Sequence, residues 1–371
     1  MDRDLFESVP NFSEGSRPEV IAQVAGAAAR AHVLDVDADA DHNRVVISVA
    51  GQKHDLVDAL VASVEMAVER IDIREHRGVH PRVGVADVVP VVPLGGATLR
   101  AAREIAHVVG DQIWRRTHVP VYFYGYAESN TLADIRAGRV APALGDPSPH
   151  PTAGAVCVGA RLPLVAFNVL LPDLDVNAAR ALARSLREST GGLRGVQALV
   201  FQLPGGRNQL SMNLFRLGET PPSAVISELE RRGVSVEAPQ IIGLCPAAVA
   251  TSAASGRLLE AHLASAAARR GAELSAAQGH DEHVRLAGRL EQTADMIGRA
   301  GIEPEQMLSS AEQAAALIPV LKAAGVLTDE LGAMLRIASR GLRIALGPGI
   351  VTKFATRVRA LDWRLEQAGR D

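Results

Sequence analysis

The sequence predicts an α/β fold of two units followed by an all-α extension. Three observations predict it. Alternating apolar runs and stretches with a helical period follow one another through the first 95 residues in the order β-α-β-β-α-β. A comparable pattern restarts after a loop rich in Gly, Pro and Asp at 138–153. From about residue 251 the β-branched runs stop and Ala, Leu, Arg and Glu dominate. The first order is that of the ferredoxin-like split unit, so two ferredoxin-like-type subdomains are expected at 1–150 and 151–250, with the helical extension at 251–371.

Each element has its own signal. "LFESVP" reads as a short strand, and 17–31 as a helix with Ser16 as N-cap and Pro18 in its first turn. "HVLDVDAD" and "RVVISVAG" are strands joined by a polar turn, and 53–70 is an amphipathic helix. "ADVVPVVPLG" is a strand whose prolines predict an edge position or an early end. A helix at 98–116 and the strand "PVYFYGYA" follow. In the second unit "AVCVGA", "LVAFNVLL", "VQALVFQL" and "QLSMNLFR" are strands, the last two joined by "PGGRN", where Gly permits positive φ. Helices at 175–189 and 221–233 and a last strand, "VEAPQIIGL", complete it. Beyond 251 a series of amphipathic stretches separated by Gly, Pro or polar turns reads as a small bundle. "LGPGIV" there follows no strand and lacks the Lys-Ser/Thr of a phosphate loop, so it reads as a helix break.

At 371 residues, with 47% hydrophobic and 22% charged residues, the chain can build a sizeable core. A net charge of −3 and 3% aromatics give no footprint for nucleic acid or an anionic membrane. No apolar run is long enough to span a bilayer. The acidic start "MDRDLFESVP" lacks the apolar core of a signal peptide. The two cysteines, Cys157 and Cys245, read as buried thiols in a reducing cytoplasm.

One stretch departs from the rest. "HRGVHPRVG", 76–84, packs two histidines and two arginines among Gly78, Pro81 and Gly84. His76 and His80 are four apart, but Gly78 between them and Pro81 after them break a helical pairing, which argues against metal. Imidazole is suited to take and return a proton near neutrality. Arginines suit carboxylates, and Arg74, Arg77 and Arg82 equally suit a solvated face. Three further polar clusters, "VPNFSEG", "DVDADADHNR" and "STGGLRG", stand at element ends, where α/β proteins carry sites.

Five spaced stretches, "SVPNFSEGSRPEVI", "LDVDADADHNR", "HRGVHPRVGVADVVPVVPL", "HPTAGAVCVGARLPLVAFNV" and "QLSMNLFR…TP", closely resemble the glutamate formimidoyltransferase (formiminotransferase) family over about residues 5–250. The resemblance implies two α/β subdomains, a homodimer, and transfer of a formimino group between N-formimino-L-glutamate and N5 of tetrahydrofolate in histidine breakdown. It places the family's catalytic histidine on His80 and its supporting aspartate on Asp37. The family's Asn-Arg pair falls on Asn43 and Arg44. The folate loop corresponds to Gly145, Asp146, Pro147, Ser148, Pro149, His150, Pro151, Thr152, Ala153 and Gly154. Glutamate's two carboxylates call for arginines, for which Arg44, Arg82 and Arg194 are candidates. Tetrahydrofolate serves as co-substrate, and no metal or nucleotide is required.

The sequence departs from the family pattern in two places. "APALGDPSPHP" replaces a longer segment carrying P-D-F-G-P, and "SMNLFR" replaces S-M-N-L-T-D. Two other readings therefore stand beside the first. One is a diverged transferase with another amino acceptor or a formyl group; the other is a non-catalytic folate-binding protein whose helices serve assembly.

Overall fold

The structure is a computed structural model that describes residues 4–368. In chain order its first elements are β1 (Phe6–Ser8), β2 (Asn11–Phe12), α1 (Pro18–Ala27), β3 (His32–Asp39), β4 (Arg44–Gly51), α2 (Lys53–Arg70), β5 (Ala86–Pro93), α3 (Leu99–Thr117), β6 (Val121–Gly125), α4 (Leu132–Arg136) and β7 (Val156–Ala160). The strands form one sheet. β3 lies beside β4, then come β1 and β2 in a shared lane, then β5, β7 and β6.

Period-two alternation decides what each face does. On β4, Val45, Ile47 and Val49 point into a core with Phe12, Leu56, Leu60 and Val64. The last three recur at four-residue spacing, which puts them on one face of α2. Full burial of such side chains contributes roughly 1.5–3 kcal/mol each. α3 is capped by Thr98, whose Oγ1 accepts from Ala101 N at 3.2 Å, and stops at His118, which adopts φ 55°.

Two sequence expectations need correction here. The prolines of β5 do not make it an edge, because β5 pairs with β1, β2 and β7. Pro90 is tolerated because its antiparallel neighbour is interrupted there. β1 pairs with residues 91–93 and β2 with 86 and 88. No ladder donor is required at 90, and the Pro90 carbonyl accepts from Ser8 Oγ. In addition, the strand at Val156–Ala160, read as the start of a new pattern, pairs parallel with β5 and β6 in the first sheet.

The remaining strands of this unit are β8 (Val165–Leu170), β9 (Val196–Gln202) and β10 (Asn208–Leu214), with α5 (Val176–Leu186) between the first two. β10 is antiparallel to both β8 and β9. The β9–β10 turn uses Gly205 and Gly206 at φ 81° and 79°, as the Gly-Gly signal predicts.

The chain divides into two compact units. One holds the residues up to Phe215 together with Ser235–Glu237. The other holds Arg216–Val234 and the residues from Ala238 on. The second contains α6 (Pro222–Arg231), all of β11 (Glu237–Ile242) but its first residue, α7 (Leu259–Ala276), α8 (Asp281–Gly298), α9 (Pro304–Ala323), α10 (Asp329–Ala345), α11 (Gly347–Lys353) and α12 (Ala355–Gln367). α7 is apolar or small nearly all round because it packs on α8, α9 and α10. Among the described residues, no helix is long and apolar enough to cross a membrane.

Glu260 on α7 is buried, and its Oε2 accepts from Ala247 N at 2.8 Å. Burial raises its carboxyl above the ordinary range. The folded state therefore holds this proton to higher pH than the unfolded state, and the associated stability is lost as pH rises through the folded value. Glu260→Gln keeps an acceptor without titrating. Its unfolding midpoint in urea is expected to exceed that of the wild type by a margin that grows from pH 5 to pH 8. A margin that stays constant would show that Glu260 does not titrate abnormally.

Candidate active site

The face of the first sheet opposite α1–α3 carries polar groups. In register, Asp37 lies across from Val46, and Asp39 across from Arg44. Asn11 of β2 flanks Val46 on the other side. Three loops converge at this end. Asn43, at φ 46°, accepts from Gly15 N through Oδ1 (2.8 Å) and donates from Nδ2 to the Arg77 carbonyl (2.9 Å). Gly78 lies against the β3–β4 turn so closely that a Cβ there would be 2.3 Å from the His42 carbonyl oxygen. The loop carrying His80 is thus docked on the turn carrying His42.

A fourth segment docks backbone to backbone. Val85 N donates to the Ala153 carbonyl (2.9 Å), and Ala155 N to that of Val83 (3.0 Å). His150 Nδ1 accepts from Ala153 N at 3.1 Å, which closes the turn "HPTAG". Gly154 has φ 73°, and a Cβ there would be 2.4 Å from the Val83 oxygen. Gly154→Ala is therefore expected to cost at least about 1 kcal/mol in urea unfolding and to lower turnover by shifting the His80 loop. Unchanged stability would show that the two segments can separate freely.

Asp87 of β5 is the hub of the polar centre. It is 1% exposed. Its Oδ1 accepts from Val83 N at 2.8 Å. Its Oδ2 takes both Arg136 Nη2 (2.8 Å) and Arg44 Nη1 (3.2 Å). Arg44 also donates from Nε to Asn11 Oδ1 at 2.9 Å, and its Nη1 lies 2.5 Å from His80 Nδ1. The same Nδ1 is 2.7 Å from the Pro81 carbonyl. The two contacts require opposite tautomers, since a guanidinium only donates and a carbonyl only accepts. Burial first, then the charges of Arg44 and Arg136, push the His80 pKa down to about 2, so the ring is neutral.

Two more imidazoles adjoin. His42 is buried, with Nδ1 2.8 Å from Asp39 Oδ2. This hydrogen bond is the main cause that lowers the Asp39 carboxyl. The rings of His42 and His80 both pack on Phe201 of β9, at 5.5 and 5.4 Å between centroids. His76 donates from Nε2 to the Asn43 carbonyl (2.7 Å), and its Nδ1 accepts from Arg82 Nη1.

The structure thus brings His80, Arg44, Asn43 and the 150–154 turn together. Arg82 is in the same loop, but its guanidinium serves the loop itself, donating to the Gly78 carbonyl (2.5 Å) and the His80 carbonyl (2.9 Å). Asp37 shares a strand face with Asp39, whose carboxylate meets the His42 imidazole. Arg194 is exposed just before β9, while Phe201 farther along the strand packs on the histidines. Gly145, at φ 94°, packs on the Trp114 indole.

Sequence reasoning missed Asp87, Arg136, His42 and Phe201. A lone carboxylate inside the apolar run "ADVVPVVP" was a legible signal for Asp87. Arg136 sits in a short surface-like helix and carries none. Among the described residues, no group of three or more His, Cys, Asp or Glu is arranged to hold a metal ion.

Comparison with known proteins agrees with the motifs. The model of the formiminotransferase domain, N-terminal subdomain, matches residues 5–161. Glutamate formimidoyltransferase of Streptococcus pyogenes serotype M1 is 35% identical over 271 residues, covering 66% of this chain and 89% of that protein. The glutamate formimidoyltransferase of Thermoplasma acidophilum is 35% identical over 268 residues, covering 65% of this chain and 88% of that protein. Formimidoyltransferase-cyclodeaminase of Gallus gallus is 35% identical over 272 residues, covering 65% of this chain and 50% of that protein. With identity at this level across nearly nine-tenths of the two glutamate formimidoyltransferases, the chain belongs to the formimidoyltransferase family.

Proposed function

We propose that the protein moves a formimino group between N-formimino-L-glutamate and N5 of tetrahydrofolate, with His80 carrying the proton. Family membership makes it a transferase and supports formimino transfer as its reaction. In the direction of folate, N5 bonds to the amidine carbon and loses its proton. The bond from that carbon to the glutamate nitrogen then breaks, its electron pair stays on nitrogen, and nitrogen takes a proton. One positioned imidazole can accept the first proton and return the second.

The observation that carries this reading is His80, an imidazole held neutral 2.5 Å from Arg44 in the loop that resembles the family's catalytic motif. While Arg44 donates to Nδ1, Nε2 bears the hydrogen and the ring is a poor base. A substrate carboxylate that draws Arg44 away leaves Nδ1–H donating to Pro81, with the Nε2 lone pair available. Substrate binding thereby turns on the base. Asp37 supports the cationic adduct, and Arg194 joins Arg44 in meeting carboxylates. Residues 145–154 receive the folate, and Asn43 and Arg82 hold the loop. A cytoplasmic homodimer acting in histidine breakdown belongs to the same proposal.

The test is incubation with N-formimino-L-glutamate and tetrahydrofolate, followed by acid and the absorbance of the 5,10-methenyl product. Product is expected. Its absence, with product from another formimino or formyl donor, would replace this reading by that of a diverged transferase.

A further inference from the structure

The cations around Asp87 do not balance. Two guanidiniums, Arg44 and Arg136, share the single oxygen Oδ2 of one buried carboxylate. Their side chains are only 15% and 22% exposed. His80 beside them is neutral and offers no countercharge. Asp39, across from Arg44 in register, is engaged by His42, so within this trio one positive charge is left over in a partly buried place, where an uncompensated charge is costly. Arg136 also has a buried Nε with no hydrogen-bond partner. A planar fork with one arm on Asp87 and a second donor unused is half of a bidentate carboxylate site.

We propose that Arg136, together with Arg44, binds a carboxylate of the amino-acid substrate, with Asp87 positioning the two guanidiniums, so that Arg136 is a specificity residue for dicarboxylates. The inference deepens the proposed formimino transfer and rests on it for the identity of the ligand. The three side chains come from separate places in the sequence, β4, β5 and α4, and converge only through the fold. An anion on this pair completes the charge balance and draws Arg44 from the imidazole. Recognition of the dicarboxylate and release of His80 then become one event. A donor without a carboxylate would bring neither.

The test uses the full chain and two kinds of probe. Glutarate, a dicarboxylate without an amine, is titrated by calorimetry into the wild type, Arg136→Gln and Arg136→Lys. Transfer is then measured from N-formimino-L-glutamate and from formamidine, which has no carboxylate. Loss of a hydrogen bond between charged groups predicts a rise of about 10–100-fold in the glutarate Kd and in KM for formiminoglutamate with Arg136→Gln. Transfer from formamidine, which brings no carboxylate to draw Arg44 from His80, should be at least about tenfold slower than transfer from formiminoglutamate in the wild type. Arg136→Lys should recover part of the binding, since it restores charge without the fork. An unchanged glutarate Kd, or wild-type transfer from formamidine as fast as from formiminoglutamate, would overturn the proposal and leave Arg136 as a strut for the loop. If the wild type transfers no formimino group but glutarate binding still falls in Arg136→Gln, the transfer reading fails and the anion site stands.

Discussion

Replacing His80 with Gln is expected to lower kcat for formimino transfer about 10²–10⁴-fold, the range for a lost general acid–base group. Folate binding and folding should persist. The Gln side chain can still accept from Arg44 and lie against Phe201, so the contacts of the ring are partly kept while its proton chemistry is removed. The variant also reports on the acid side of stability. The folded-state pKa of His80 is pushed down to about 2, chiefly by burial and next by Arg44. The unfolded chain therefore takes up a proton that the folded chain refuses, and this group costs stability as pH falls through the ordinary imidazole range. Any stability advantage of the wild type over His80→Gln should shrink from pH 8 to pH 5. A variant that keeps more than a tenth of wild-type kcat would rule out the proton role. A pH-independent stability difference would show that the ring is not held neutral.

The second large effect is expected at Asp87. Asp87→Asn keeps an oxygen for Val83 N but removes the charge between Arg44 and Arg136. Removing one partner of a buried ion pair typically costs about 3–5 kcal/mol, because the remaining charge is left uncompensated. Unfolding in urea should show a loss of that size, and added glutarate should restore part of it by supplying the missing anion. Turnover should fall as well, since Arg44 loses the anchor that sets its position at His80. A loss below about 1 kcal/mol would mean that the two arginines are balanced by other means and that Asp87 is not the hub.

His80 and the residues around it show what was legible. "HRGVHPRVG" could be neither a good helix nor a good strand, and its chemistry stood out from a bland background, so the loop was legible from composition and spacing, while the choice of His80 within it came with the family resemblance. Asn43 and Arg44 came only with the family resemblance, because a polar turn between two strands has a sufficient structural explanation by itself. The guanidinium of Arg82 donates to the carbonyls of Gly78 and His80 in its own loop. That geometry depends on how the loop folds back and not on residue type. Asp39 lies on the same strand face as Asp37, and only the turn that brings His42 back onto the strand places an imidazole on the Asp39 carboxylate.

The sequence by itself determined the order of the longer strands and helices, the change to an all-helical composition near 251, and the loop that carries the histidine. These depend on local periodicity and on Gly and Pro, whose effects act over a few residues. Only the tertiary structure decided that β5 is central despite Pro90, that Val156–Ala160 closes the first sheet, and that Asp87 joins Arg44 and Arg136 beside His80. Each of these is a pairing between distant parts of the chain. Whether a proline can be tolerated in a strand, or a buried carboxylate kept charged, depends on what the fold places opposite it.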